Sequence, residues 1–352
     1  VAGSASAADL MKAYEMARQS DPVLAAAESQ RLSIGEGVVQ SRARLLPQIS
    51  ASAGLSDDRT RGEEGYVRGR SYGASLSQSL YDHGNYTALN AAKLRREQAD
   101  ATYQAEANNL LVRVADAYFN VLTAIETLAS SRAEERSVKR QLDQAEKRLE
   151  VGLAPITDVH EARARFDTAR ANAIAAANAL DDAREALAEI TGTDTGSLKG
   201  LSKDYKPTDP TNLISQDWVA VAMENNPSLL ARELAVTAAE KDIGTARSGH
   251  LPSLGLTASY SDGNGYGTTD VFAPLPSSST VDNTSESTRV GVTLSVPLFA
   301  GGATQSGVRQ AVHNRDAAAD QLEQQRRAVV RQTRNAQRSL GAGSAEVEAR
   351  RL

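Results

Sequence analysis

From residue 49 onward the chain alternates apolar and small polar residues one by one. Ile49, Ala51, Ala53 and Leu55 interleave with Ser50, Ser52, Gly54 and Ser56, and Tyr72, Ala74 and Leu76 interleave with Gly73, Ser75 and Ser77. The pattern returns in the second half of the chain. There Leu254, Leu256, Ala258 and Tyr260 stand against Gly255, Thr257, Ser259 and Ser261, and Val290, Val292, Leu294, Val296 and Leu298 stand against Gly291, Thr293 and Ser295. A period of two predicts β-strands with one apolar face and one face of small polar groups. Two environments satisfy such strands: a sheet over an ordinary protein core with its other face in water, or a wall between lipid and a watery lumen. Four strands are too few to close a barrel, and an open sheet edge cannot sit in hydrocarbon. The second environment therefore requires several copies to pool their hairpins, and three would supply about twelve strands.

Elsewhere the period changes. Tyr103, Ala107, Leu110, Val114, Ala117, Val121, Ala124 and Leu128 step by four and three, and Val159, Ala162, Phe166, Ala169, Ala173, Ala176, Leu180, Ala183, Leu187 and Ile190 do the same. A sustained 3.5-residue repeat predicts helices coiled about partners, and the alanines let the axes approach closely. The expected helices run over 88–150, roughly 95 Å, and over 156–190 after a turn at Val151-Gly152-Leu153-Ala154-Pro155. An earlier helix is expected over 23–45. The two shorter helices laid end to end nearly equal the long one, which predicts a wall two helices wide for each unit and about twelve helical columns in a trimer.

These elements occur twice. Asp21-Pro22-Val23-Leu24-Ala25 matches Asn226-Pro227-Ser228-Leu229-Leu230, and Leu46-Pro47-Gln48-Ile49 matches Leu251-Pro252-Ser253-Leu254, both at a spacing of 205 residues. Leu80-Tyr81-Asp82-His83-Gly84 matches Leu298-Phe299-Ala300-Gly301-Gly302 at a spacing of 218, which Arg113 and Arg331 keep. The 13 extra residues fall between Asp262 and Arg289, a Gly-, Ser-, Thr-, Asn- and Asp-rich tract that reads as a longer, surface-exposed hairpin loop over 263–287. Residues 1–190 then form a first repeat (helix, hairpin 48–82, long helix 88–150, return helix 156–190), and 218–352 a second (helix 218–250, hairpin 253–299, long helix 302–352). Residues 191–217, broken by Gly192, Gly196, Gly200, Pro207 and Pro210, are the linker, either a disordered loop or a small ordered belt. Pro47, Pro252, Gly84, Gly301 and Gly302 mark the structural turns.

Composition removes several functions. A net charge of −5 and a pI near 5.6 give no broad surface for nucleic acid. The absence of cysteine removes disulfides, thiolate catalysis and Cys-based metal sites. No stretch approaches the roughly 18 to 20 continuous apolar residues of a spanning helix, a test to which barrel strands are nearly invisible. The start of the chain ends its small-residue run in Ala5-Ser6-Ala7, which fits a secretory signal remnant or an added terminal tail. His83, His160, His250 and His313 have no metal-ligating spacing, and Gly263-Asn264-Gly265-Tyr266-Gly267 lacks the lysine and the strand-to-helix setting of a phosphate loop. No catalytic constellation, cofactor site or metal site is expected. A periplasmic coiled-coil adaptor or scaffold is the competing reading, but it would carry one hairpin between β modules rather than two copies with alternating strand pairs.

Together with the Leu-Pro pairs at 46–47 and 251–252, three further stretches resemble one family. They are Ala117-Tyr118-Phe119-Asn120-Val121-Leu122, Val151 through Val159, and Pro297-Leu298-Phe299-Ala300-Gly301-Gly302. They are similar to the TolC family of outer-membrane efflux and type I secretion channels, and the similarity covers nearly the whole chain. The resemblance implies a mixed α and β membrane protein of a Gram-negative bacterium. In it a trimeric outer-membrane β-barrel, four strands per protomer, is continued by a long periplasmic α-helical barrel built from two internal repeats. It also implies an equatorial belt, lipid around the barrel, and a tip meeting a periplasmic adaptor and an inner-membrane pump or ABC exporter, so that small molecules or proteins leave the cell. By the same resemblance Val151, Gly152 and Leu153 form the adaptor-docking tip, while Asp158, Thr157 and Gln141 belong to a polar gate network. From sequence alone, Asp158 in the first turn of a helix equally serves by complementing the helix dipole. One departure stands out: the second copy stops at Leu352, so residues 134–190 of the first have no counterpart. The expectation is an incomplete chain whose other gate half is missing.

Overall fold

The computed structural model describes residues 8–59, 66–201, 217–271 and 277–351. In chain order the elements are α1 (Leu10–Ser20), α2 (Pro22–Ala43), β1 (Gln48–Asp58), β2 (Tyr66–Tyr81), α3 (His83–Glu150), α4 (Ile156–Thr191), α5 (Trp218–Asn225), α6 (Pro227–Arg247), β3 (Ser253–Val271), β4 (Ser277–Ser295) and α7 (Ala303–Arg351), with a short 3₁₀ turn at Ser248–His250. Contacts group them into two compact units. One comprises residues 1–30, 102–217 and 335–352, the other 31–101 and 218–334, so each unit draws on both sequence repeats.

The structure differs from the periodicity reading in five places. One is the end of the second hairpin: the last strand stops at Ser295 and not 299, before Pro297, which has no N–H for the ladder, so Val296 and Leu298 lie outside it. The long helix begins at His83 rather than 88, because the Asp82 carboxylate accepts the Gly84 N–H at 2.8 Å and caps it. Gly84 is therefore not a turn residue. It lies in the first helical turn, where an added Cβ would stand 2.5 Å from the Ser248 hydroxyl oxygen. The helix expected over 218–250 breaks at Asn226, whose side chain accepts the N–H groups of Ser228 (2.9 Å) and Leu229 (3.2 Å) while Pro227 occupies the first helical position. The early helix runs from Pro22 to Ala43, and α1 precedes it across the matching break at Asp21. Finally, the tract expected as a long loop over 263–287 is mostly strand: β3 and β4 pair continuously from Ser253–Ser295 to Val271–Ser277. Small residues weaken the period without preventing the ladder. Residues 272–276 lie outside the described residues, as do residues 1–7 of the suggested signal remnant and 202–216 of the linker.

In the first unit the α3 seam is buried as two clusters. Leu110, Val114 and Tyr118 pack with Ala13, Ala17 and Leu24, and Val121 and Leu128 pack with Leu180 and Leu187 of α4. The partly buried Tyr103, Ala107, Ala117, Ala124, Ala176, Ala183 and Ile190 complete the same seams. Ala8 pairs with Leu198 through two backbone hydrogen bonds of 2.9 Å, and the Tyr118 hydroxyl donates to the carbonyls of Lys199 (2.6 Å) and Ala8 (3.3 Å). The first part of the linker is thereby ordered.

Asp21 holds the α1–α2 break together. Its N–H donates to Ala17 and closes α1, its carboxylate accepts the Leu24 N–H at 2.8 Å and caps α2, and Arg113 donates to both carboxylate oxygens at 3.2 and 2.9 Å. The Asp21 side chain is only 2% exposed. Asp21→Ala is expected to cost about 2 kcal/mol by losing the cap and both bonds to Arg113, which keeps only Glu106 at 3.4 Å, whereas Asp21→Asn keeps the cap and costs about half as much. Thermal melts followed by helical circular dichroism check the order.

Burial, then the charge of Asp9, hold the Tyr118 phenol above its ordinary value of 10.0. A raised folded-state value favours the neutral form. Its contribution is complete below about pH 10 and is lost as pH climbs from there through the folded value. Alkaline unfolding should therefore steepen above pH 10 in the wild type and flatten in Tyr118→Phe, with the variant about 1 kcal/mol less stable at pH 8.

Candidate functional site

The four strands of the second unit form one antiparallel sheet in the order β1-β2-β3-β4. Directly paired residues share a face, so the register decides whether the four alternations agree. They do. Ile49, Leu76, Ala258 and Val290 lie in one cross-strand row, and Ala51, Ala74, Tyr260 and Thr288 in a nearby row of the same face. The intervening rows are Ser50, Ser75, Ser259 and Arg289, then Ser52, Gly73, Ser261 and Ser287, then Gly54, Ser71, Gly263 and Ser285. One face is thus an apolar band and the other a lawn of hydroxyls and bare backbone. Much of the band is bare among the described residues: Leu55 is 89% exposed and Val290 70%. The band ends in charge, at Asp57 with Arg68 (3.5 Å) on β1 and β2 and at Asp262 opposite Glu286 on β3 and β4. β1 and β4 are the edges of the sheet, and among the described residues each leaves one side of its backbone ladder without a partner strand.

Pro47, Pro252, Gly301 and Gly302 lie in turns at the base of the sheet. After α2 the Gln48 side-chain amide donates to the Ala43 (2.8 Å) and Leu46 (3.3 Å) carbonyls, folding the chain about Pro47. Before Pro252 the Leu251 N–H donates to the Ser248 carbonyl at 2.8 Å. Gly301 and Gly302 have φ of +60° and +83°, a left-handed pair that a side chain would strain.

In the first unit α3 and α4 form a helical hairpin, bridged by Arg163 and Glu146 at 3.3 Å. Its turn is a Schellman motif: the Leu153 N–H donates to Arg148 (2.8 Å) and the Gly152 N–H to Leu149 (2.9 Å), with Gly152 at φ +75°. No atom beyond its chain neighbours lies within 4 Å of the Cβ that Gly152 lacks, so the glycine answers the backbone and not crowding inside this chain. Val151 and Leu153 flank it at 66% and 70% exposure. Ile156, equally bare and the first residue of α4, adds a third apolar group that sequence reasoning passed over. Its only signal was an aliphatic residue directly after Pro155. A groove of about 440 Å³ lined by Arg140, Asp143, Gln144, Lys147 and Arg148 ends at Val151.

Gln141, Thr157 and Asp158 are all exposed, and no hydrogen bond joins any of the three to another among the described residues. Pro155 occupies the N-cap of α4 and no side chain caps that end, so Asp158 contributes there only through its charge in the first turn. Among the described residues no cluster of His, Cys, Asp or Glu is arranged to hold a metal, and no helix is long and apolar enough to cross a membrane. The second fact says nothing about a sheet.

Comparison with known proteins follows from this geometry. The family model described as outer membrane efflux protein matches residues 13–193 and 218–351. Outer membrane protein TolC of Vibrio cholerae is 38% identical over 344 residues, covering 96% of this chain and 76% of the relative. The alkaline protease secretion protein AprF of Pseudomonas aeruginosa is 28% identical, covering 97% and 71%. Among solved structures, the channel CusC superposes with a TM-score of 0.76 at 18% identity over 97% of this chain and 78% of its own. The CmeC outer membrane channel of Campylobacter jejuni gives 0.71 at 19% over 97% and 74%. At these identities the superpositions speak for the fold.

Proposed function

Because the chain belongs to the outer membrane efflux protein family, we propose that three copies of it close a single barrel of about twelve strands and form one duct from the periplasm to the cell exterior. The protein is an outer-membrane channel that serves as an exit duct for efflux and type I secretion. The observation that carries the trimer is the four-stranded sheet with a bare apolar band and two unpaired edges. Lipid accepts the band but cannot satisfy backbone N–H and C=O groups, so β1 of one copy must pair with β4 of the next. The Ser, Gly and Thr face then lines the lumen, and the duplicated helices build the periplasmic part of the wall.

In this reading the α3–α4 turn is the end that meets a periplasmic adaptor, which couples the duct to an inner-membrane pump or ABC exporter. Val151, Gly152 and Leu153 form the contact, helped by Ile156 and by the basic groove of Arg140, Lys147 and Arg148. Asp158, Thr157 and Gln141 make no polar contacts with one another. A gate built from them therefore draws its partners from other helices of the assembled tip.

Native mass measurement of the detergent-extracted full-length protein should give three chains. A monodisperse single chain that stays in the membrane would refute the assembly. Gly152→Trp should abolish export while the trimer persists. Gly152→Ala, which has the same left-handed backbone cost of about 1 kcal/mol without the bulk, should retain most export. Equal loss in both variants would mean that the backbone conformation matters and the docking surface does not.

A further inference from the structure

The small-residue face of the sheet carries one charge where its chemistry predicts none. Along the paired rows that face reads Gln48, Ser77, Thr257, Gly291; then Ser50, Ser75, Ser259, Arg289; then Ser52, Gly73, Ser261, Ser287. Among the described residues the only other full charge on it is Asp58, eight residues further along β1, or about 27 Å. Arg289 is exposed and makes no hydrogen bond or ion pair with any described residue. Acidic groups of the sheet such as Asp57, Asp262 and Glu286 belong to the opposite face. A guanidinium in that setting is hydrated and uncompensated.

We infer that Arg289 is a selectivity residue of the duct: it places a ring of positive charge on the barrel lumen that favours solutes bearing carboxylate, sulfonate or phosphate groups. The inference rests on the reading that this face lines the lumen of a trimer, since closure brings three copies of Arg289 to one level. Ser259 sits directly across from it, about 5 Å away between Cβ atoms, and the neighbouring rows offer hydroxyls, glycine and the neutral Gln48 amide. No carboxylate of the same face lies within a Debye length of about 8 Å to cancel the ring. Low-dielectric walls on all sides raise its potential above that of the same charge on an open surface.

Residues 1–352 contain no cysteine, so an introduced thiol is the only one among them, and any cysteine elsewhere in the full-length protein is first replaced by serine. In the full-length protein in outer-membrane vesicles, Ser259→Cys is treated with two thiosulfonate reagents of similar size, one ending in a sulfonate and one in trimethylammonium. The ratio of their rates reports the local potential. An effect of Arg289 on the thiol pKa cancels, because both reagents attack the same thiolate. With Arg289 present the ratio should favour the sulfonate. Arg289→Gln should lower it by roughly threefold or more, and Arg289→Lys should restore it. A ratio unchanged by Arg289→Gln, in trimers of normal mobility, overturns the inference. Ala258→Cys, on the apolar face, separates the two levels of the argument. If it is labelled while Ser259→Cys is not, the lumen assignment fails and the inference with it. If only Ser259→Cys is labelled, the rate ratio decides.

Discussion

A backbone amide in hydrocarbon has no water to turn to, and this chain presents two rows of such groups, one along β1 and one along β4. Every other property of the sheet depends on how those edges are satisfied. The apolar band is an asset only beside lipid, and the Ser/Gly face is useful only beside water. The two can be reconciled only when the sheet curves and closes. A single chain has neither the strands nor the core to do so, which is why Ile49, Leu55 and Val290 lie bare.

Small residues recur wherever the architecture needs proximity. On the sheet they leave one face smooth. In the helices of the second unit Gly84 lies against Ser248, and Gly244 lies close to Thr87, whose hydroxyl is 2.9 Å from that of Thr245. In the first unit the alanine seam lets α3 and α4 approach without large knobs. The first unit accordingly buries its apolar groups in two small clusters rather than one large core.

The two repeats solve one problem with different chemistry. Asp21 and Asn226 each close one helix and cap the next, with a proline following. Only Asp21 adds a charge, buried against Arg113. Asn226 caps without a counterion, and the ties between the helices of its repeat lie further along, where Arg326 meets Glu233 at 3.1 Å. The first repeat is also the one whose helices are tied to Ala8 and Lys199 through Tyr118. Backbone pairing and a buried hydroxyl hold that crossing without adding charge.

What the sequence determined on its own was everything with a local period or a local conformational demand. Alternation identified four strands and the two faces of each. The 3.5-residue seams named the residues that bury Leu110, Val114, Val121, Leu128, Leu180 and Leu187. The turn at Gly152 was legible because a left-handed residue between two helices calls for glycine. The breaks at Asp21 and Asn226 were also written in the chain, as a capping residue before proline, but a run of helix formers on each side masked them. Tertiary structure alone decided that β2 pairs with β3, so that four separate alternations share one register. It carried strand pairing through the glycine-rich tract to Val271, brought Tyr118 to Ala8 and Lys199, and left Arg289 alone among hydroxyls. Periodicity reports which way a side chain points relative to its own backbone. Neighbours across strands are set by hydrogen bonds between residues far apart in sequence, and no local pattern encodes them.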